Sequence, residues 1–266
     1  MTVLQRTHGE GRIGVVSREG RTRLADLYQE GAAKIRLPRQ PHCEAVLVNT
    51  AGGLTDGDRL SWSATAQAKA DLTLTTQACE RAYRARHGSP AQLHVALEAQ
   101  VGARLAWLPQ ETILYDACAL HRRLDVVLAP ATTFLACEAI LLGRRAMGER
   151  LTRLDFRDDW RVRMGGRLVH AEALALDDAE ALARPAMLDG ATAMASILMI
   201  GATLEVLLVP ARELVGERGA VSILEVAGTP KMVVRLVAPD GRTLRRHLVP
   251  LLALLHGRAL PKAWSS

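Results

Sequence analysis

The stretch WLPQETILYDAC, residues 107–118, sets Glu111 and Asp116 inside an otherwise apolar segment. Two carboxylates do acid–base work, or hold a metal, when they face one another. On a strand, Glu111, Ile113 and Tyr115 share one face while Thr112, Leu114 and Asp116 share the other. On a helix, a five-residue offset is a rotation of roughly 140°. Either geometry points the acids apart, so the segment alone builds no catalytic pair. FLACEAILLG makes a different demand, because Glu138 is the only polar side chain between Phe134 and Leu142. An unpaired carboxylate buried there costs on the order of several kcal/mol. An arginine partner is one resolution; a raised pKa with a functional role is the other.

Three more segments carry polar groups in specific arrangements. NTAGGLTDGD, residues 49–58, has glycines at 52, 53 and 57 that permit a tight loop. That loop either aims Asp58 at a partner or an ion, or is a turn between strands with Asp56-Gly57 as its tip. TTQACERAYR, residues 75–84, places hydroxyls, an amide and charges directly after an alternating run. It lines a polar channel or rims an interface, or it caps a strand end with solvated charge. GRRAMGE, residues 143–149, suggests a defined loop through Gly143, Arg144, Gly148 and Glu149.

The rest of the catalytic inventory is thin. No Walker A loop, GxGxxG, GxSxG, HExxH or kinase signature occurs. No two of the eight histidines have the close spacing that would place both on one metal. Cys43, Cys79, Cys118 and Cys137 are widely scattered and read as reduced core thiols. A hydrolase or lyase would need separated acids such as Glu111 and Glu138 to converge from different strands, with no oriented base or nucleophile beside them.

The elements that must position these groups are mostly strands. RIGVVSREG, GAAKIRL and EAVLVNT are short apolar or alternating runs punctuated by glycine or proline. Leu60, Trp62, Ala64 and Ala66 fall on one face at period two, and AQLHVALEAQVGARLAWLP reads as two strands joined at Val101-Gly102. Further on, Asp158-Asp159 and Gly165-Gly166 are turn signals between alternating runs. Leu204, Leu207, Leu208, Ala211, Leu214 and Val215 recur at helical spacing, with Pro210 as a kink or a start. AVSILEVAG and KMVVRLVAPDG form a strand pair, and RTLRRHLVPLLALLHG a second helical pattern in which Pro250 is again a kink or a start. No internal repeat is visible. The expected architecture is mainly β: a single domain over residues 1–266 of many short strands, strand-rich over 10–176 and mixed over 177–260, with about two helices in the C-terminal third.

Composition sets outer limits. Of the 266 residues, 49% are hydrophobic and 23% charged, ordinary values for a globular chain. The net charge of +6 is nearly all arginine, since lysine occurs only at Lys34, Lys69, Lys231 and Lys262. With 3% aromatic residues there are few base-stacking platforms, and no basic run accompanies them. Nucleic acid is therefore not the expected partner. The most apolar stretch, Gly190 to Val209, is interrupted by Glu205, too short to span a membrane. With no apolar leader in MTVLQRTHGEGRIG, the expected compartment is the cytoplasm.

Taken in order, NTAGGLTDGD, TTQACERAYR, WLPQETILYD, the Glu138 segment, GRRAMGE, DDWRVRMGGRLVHAEAL and the closing RALPKAW resemble the urease accessory proteins of the UreD family, called UreH in some organisms. The chain departs from many members at Thr50-Ala51, where they have Pro-Pro, and at Asp56, where they have glycine. The resemblance implies a β-rich scaffold without catalytic activity or a stably bound cofactor. It implies partners, namely urease accessory protein F, the accessory GTPase G and apo-urease, and transient handling of nickel on its way into urease. By motif position it implies Asp58, Glu111, Asp116, Glu138, Glu149 and Glu172 as acids of a nickel path, and Arg81, Tyr83 and Arg144 as interface or structural residues. Oxygen ligands suit a conduit because they release a divalent ion that a dense Cys/His cage would trap.

Overall fold

A computed structural model describes residues 6–86, 89–144, 147–182 and 184–265. His87 and the Arg145-Ala146 pair of the GRRAMGE segment lie outside these. The chain is mainly β, and its strands alternate between two sheets. β1 (His8–Arg18), β5 (Arg59–Ala66), β8 (Ala91–Ala99), β11 (Ala119–Leu128) and β13 (Asp155–Met164) stack in parallel in the first sheet. β4 (Cys43–Asn49), β6 (Asp71–Thr76), β9 (Arg104–Trp107) and β12 (Thr133–Leu142) stack in parallel in the second. The chain thus winds as a solenoid, one strand per sheet per turn.

Antiparallel strands finish the coil. β2 (Arg21–Gly31) and β3 (Ala33–Arg36) are the terminal strands of the two sheets at one end. At the other end stand β14 (Arg167–Leu176) on the first sheet, and β15 (Ala193–Ile200), β17 (Thr229–Ala238) and β16 (Gly219–Val226) on the second. Two short strands, β7 (Glu80–Ala82) and β10 (Thr112–Leu114), pair beside β12.

Sequence pattern explains the layering. β8 alternates buried and exposed residues, as expected of a strand with one solvated face. β12 is buried almost throughout because both of its faces are covered, which gives the near-continuous apolar run FLACEAILL. Its inner residues Phe134, Ala136 and Ile140 join the core between the sheets with Trp62, Trp107, Phe156 and Trp160. Its outer residues Leu135, Cys137 and Ala139 join a second core under the helices α2 (Leu204–Val215) and α3 (Gly241–His256). A further short helix, α1 (Ala179–Leu182), precedes β15.

Both long helices run through their prolines. Pro250 forfeits a hydrogen bond in α3, but burial of Leu244, Leu248, Leu251, Leu252 and Leu255 outweighs the loss. Asp240 caps the start by accepting the Thr243 amide at 2.7 Å, and Gly257 ends it at a left-handed φ of 71°. Among the described residues no helix is long and apolar enough to cross a membrane.

Three sequence expectations are corrected. Gly165-Gly166 does form the β13–β14 turn, but Asp158-Asp159 lies inside β13, where the Asp158 carboxylate is drawn into the core by a guanidinium. β2 escaped notice because its residues are exposed on both faces and show no alternation. A repeat also exists, in the backbone rather than the side chains. The corners after β5, β8 and β11 place Lys69, Gly102 and Ala131 at φ values of 59°, 68° and 58°. Non-glycine residues pay roughly 1–2 kcal/mol there. Stacked bonds from one corner to the next, such as Gln100 N–H to Ala66 O at 2.9 Å and Ala129 N–H to Ala99 O at 2.8 Å, accompany this conformation, which Lys69 and Ala131 adopt without being glycine.

Candidate functional site

Parallel stacking brings together segments far apart in sequence, and it does so in three places.

The first lies between the sheets. Arg122 on β11 donates to both oxygens of Asp158 on β13, at 2.9 and 2.6 Å. It also donates across to Glu138 on β12 at 2.5 Å and to Thr112 on β10 at 3.0 Å. Trp107 Nε1–H reaches the other Glu138 oxygen at 2.7 Å, and Trp160 Nε1–H reaches Asp158 at 3.1 Å. The guanidinium lies 5.4 Å from the centre of the Phe156 ring. Arg122, Glu138 and Asp158 are all buried, so two carboxylates share one arginine in the core. Burial disfavours the arginine's charge, but Asp158 and Glu138 outweigh it and hold Arg122 above its ordinary pKa. Burial pushes the Glu138 carboxyl up to about 7 against the pull of Arg122. The arginine partner foreseen for a lone carboxylate in an apolar run is Arg122, and burial raises the Glu138 pKa despite it.

The polar groups continue toward β14. Glu138 stands opposite Ser196 of β15 in the sheet. Ser196 donates to Glu172 of β14 at 3.1 Å, and Arg235 of β17 donates to the other oxygen at 2.5 Å. Burial raises the Glu172 carboxyl, yet the His170 and Arg235 partners prevail and leave it below its ordinary value. Lys231 is buried beside them, its amine donating to Val169 O at 2.5 Å, and desolvation lowers its pKa. The file reaches solvent at Arg235, whose side chain is 41% exposed.

The second place is on the helix side of the second sheet. Glu111 is buried and accepts from Arg245 of α3 at 2.6 and 3.2 Å and from the Cys79 thiol at 3.4 Å. Arg245 also bonds Gln110 and lies 5.3 Å from the centre of the Trp264 ring. Burial and the neighbouring Glu111 push the Cys79 thiol up to about 11, so it is inert as a nucleophile. Glu111 and Glu138 therefore serve opposite faces of one sheet, and they do not converge on a shared cleft.

The third is the stack of loops leading from the second sheet back to the first. Asp116 accepts the Thr152 amide and hydroxyl at 2.7 and 2.8 Å, the Arg153 amide at 3.3 Å and the Arg84 guanidinium at 2.5 Å. Burial opposes its charge, but these donors hold Asp116 below the usual carboxylate range. Glu149 is lowered chiefly by Arg144, which bonds it at 3.1 and 3.0 Å and lies 4.4 Å from the centre of the Tyr115 ring. Tyr115 meets Tyr83 edge-on at 5.1 Å, and the Tyr83 hydroxyl donates to Gly52 O at 3.1 Å. Arg81 contributes its carbonyl, which accepts the Leu54 amide at 2.7 Å.

Asp58 stands apart from these groups. Its two oxygens accept the Thr7 and Thr55 amides, both at 2.8 Å, which closes the 49–58 loop. Asp56-Gly57 does form the turn, closed by the Asp58 amide donating to Thr55 O at 3.1 Å, with the Asp56 carboxylate buried against Arg6. Gly53, at φ 149°, packs so closely that an added Cβ would sit 2.3 Å from the Tyr83 ring and 2.7 Å from Arg81 O. Gly53→Ala is expected to destabilise the chain by about 1–3 kcal/mol through backbone strain and to displace Tyr83. Gly52→Ala has open space and costs less. Urea unfolding of the two variants side by side checks the order.

Of the expected site residues, the fold assembles Tyr83, Asp116, Arg144 and Glu149, sets Glu138 across the sheet from Ser196, which bonds Glu172, and leaves Glu111 and Asp58 in separate networks. Sequence reasoning missed Arg122, Asp158, Trp160, Arg245 and Arg235. The one available signal was the need of Glu138 for a cation, and local spacing does not name which arginine supplies it. Among the described residues no group of three or more His, Cys, Asp or Glu side chains is placed to hold a metal ion.

These features define a β-solenoid scaffold whose buried charges tie its layers together. The model of the UreD urease accessory protein family matches residues 7–265, and the chain belongs to that family. Its relatives include urease accessory protein UreD 1 of Brucella abortus biovar 1, 49% identical over 267 residues, covering 98% of this chain and 95% of the relative. The urease accessory protein UreD of Agrobacterium fabrum is 50% identical over 266 residues, covering 98% and 92%. That of Mesorhizobium japonicum is 49% identical over 266 residues, covering 98% and 95%. The chain is thus a urease accessory protein of the UreD family.

Proposed function

We propose that the chain acts in the cytoplasm as a single folded scaffold through which apo-urease receives nickel, in a complex with urease accessory protein F and the accessory GTPase G. Nickel is cargo, held in passing and released. The observation that carries this reading is the file of polar groups between the sheets, from Thr112 and Glu138 through Ser196 to Glu172. Its carboxylates already carry arginine partners, so a divalent ion would compete with a guanidinium and meet no preformed cage. Weak, competed binding is what transit requires. The loop stack of Tyr83, Tyr115 and Arg144 supports a docking role, since aromatic and arginine side chains anchor interfaces.

The test is nickel content per urease active site after co-expression with Glu138→Gln or Glu172→Gln. Both variants are expected to co-purify with apo-urease and protein F while urease nickel falls severalfold. Full nickel loading by both would reject the file as the route. Failure of the unaltered chain to co-purify with either partner would reject the scaffold role itself.

A further inference from the structure

The two ends of the solenoid are finished differently. At one end β14–β17 and the helices cover the last turn. At the other, β2 and β3 are terminal strands, and the core face of the first sheet continues onto β2 without a cover. Leu24 pairs across from Val15, and Leu27 from Ile13, so each shares the face of a fully buried neighbour. Yet Leu24 is 45% and Leu27 38% exposed. A cleft of about 870 Å³ opens beside Leu24, lined also by Leu37, itself 36% exposed.

Charge at this end is predominantly basic, three arginines against the carboxylates of Glu44 and Asp71 in the same lining. Arg21, Arg23 and Arg39 line the cleft, and none of their guanidinium groups makes an ion pair among the described residues. The acids of β2 are already engaged, Asp26 with Arg12 at 3.2 Å and Glu30 with the Tyr28 hydroxyl. Asp71, at the cleft wall, is held by Arg258 at 2.5 Å. β2 is eleven residues long and, among the described residues, pairs only with β1, so its other edge presents a row of amides and carbonyls that no described strand takes up.

We propose that this open end is a docking site for an extended, acidic segment of a partner protein, which adds to the free edge of β2 as the next strand. Its apolar side chains cover Leu24, Leu27 and Leu37 while its carboxylates meet Arg21, Arg23 and Arg39. Main-chain bonds supply affinity in such strand addition, and alternate side chains supply selectivity. Guanidinium–carboxylate pairs at the rim are directional and often bidentate, which favours glutamate or aspartate over a neutral strand. The inference stands independently of any route for nickel.

Two labelled nine-residue peptides test it on the full-length protein, one alternating leucine with glutamate and one alternating leucine with lysine. The glutamate peptide is expected to bind at least tenfold more tightly by fluorescence anisotropy and to slow amide exchange at alternate positions of residues 21–28. The triple variant R21E/R23E/R39E is expected to lose that binding at least tenfold while keeping the unaltered unfolding midpoint. Leu27→Asn, on the apolar half, provides an independent reading and should also weaken it. Absence of binding, equal binding of both peptides, or unchanged exchange on β2 overturns the proposal. So does a concentration-dependent dimer that the triple variant abolishes, which would assign the edge to a second copy of this chain.

Discussion

Replacing Arg122 by methionine is expected to lower the free energy of unfolding by about 3–5 kcal/mol, the range for breaking a buried ion pair from one side. The substitution keeps most of the side-chain volume, so the loss reports charge rather than a cavity. It strands Glu138 and Asp158 in the core and removes the donor to Thr112. The penalty should depend on pH. The folded-state pKa of Glu138 is about 7, above its ordinary value of 4.5, because burial outweighs the attraction of Arg122. A group shifted upward stabilises the fold fully below its unfolded pKa, and that contribution is lost as pH rises through the folded value. For Glu138 the window is about pH 4.5 to 7. In Arg122→Met the opposing charge is gone, so the loss of stability toward high pH should steepen. Glu138→Gln in the unaltered background should flatten the same window. Urea unfolding at pH 5 and pH 8 checks both. An Arg122→Met midpoint shift worth less than about 1 kcal/mol would sink the account, since that is the scale of an exposed pair.

Replacing Arg245 by methionine is expected to be the second largest loss, about 2–4 kcal/mol, because Glu111 is buried and would keep only the weak Cys79 thiol as a donor. The figure is set below that for Arg122 because Arg245 is itself 24% exposed and partly screened by solvent. The bond ties α3 to the outer face of the second sheet, and Arg245 also packs on Trp264, whose indole N–H donates to Leu108 O at 3.1 Å. Amide exchange should therefore accelerate in α3 more than in the parallel strands. Uniform acceleration throughout the chain would mean that the bond does not act on the helix in particular. Glu111→Gln is the milder partner variant, because an amide oxygen still accepts from the guanidinium.

Much of the local structure was legible in residue pattern. The break at Val101-Gly102, the inward face of Leu60, Trp62 and Ala64, and the helical periodicity that became α2 follow from side-chain alternation, which is a property of neighbours along the chain. The divergence of Glu111 and Asp116 followed from their five-residue offset, and the demand of Glu138 for a partner from its place in an apolar run. Asp158-Asp159 misled because two adjacent aspartates favour turns in isolation; inside β13 the guanidinium of Arg122 outweighs that preference. β2 was hidden for the opposite reason: exposed on both faces, it has no pattern to read.

The sequence alone determined that this chain is strand-rich, that its catalytic inventory is poor, that its motifs resemble one family of urease accessory proteins, and that one carboxylate in an apolar strand needed compensation. Only the tertiary structure decided which residues meet. Arg122, Glu138 and Asp158 come from different strands in two sheets, and their encounter depends on how successive solenoid turns stack. The same stacking puts Tyr83, Tyr115, Arg144 and Glu149 in one loop cluster and sets Glu111 and Glu138 on opposite faces of a sheet. Backbone hydrogen bonds between turns set that register, and those bonds carry no side-chain signature.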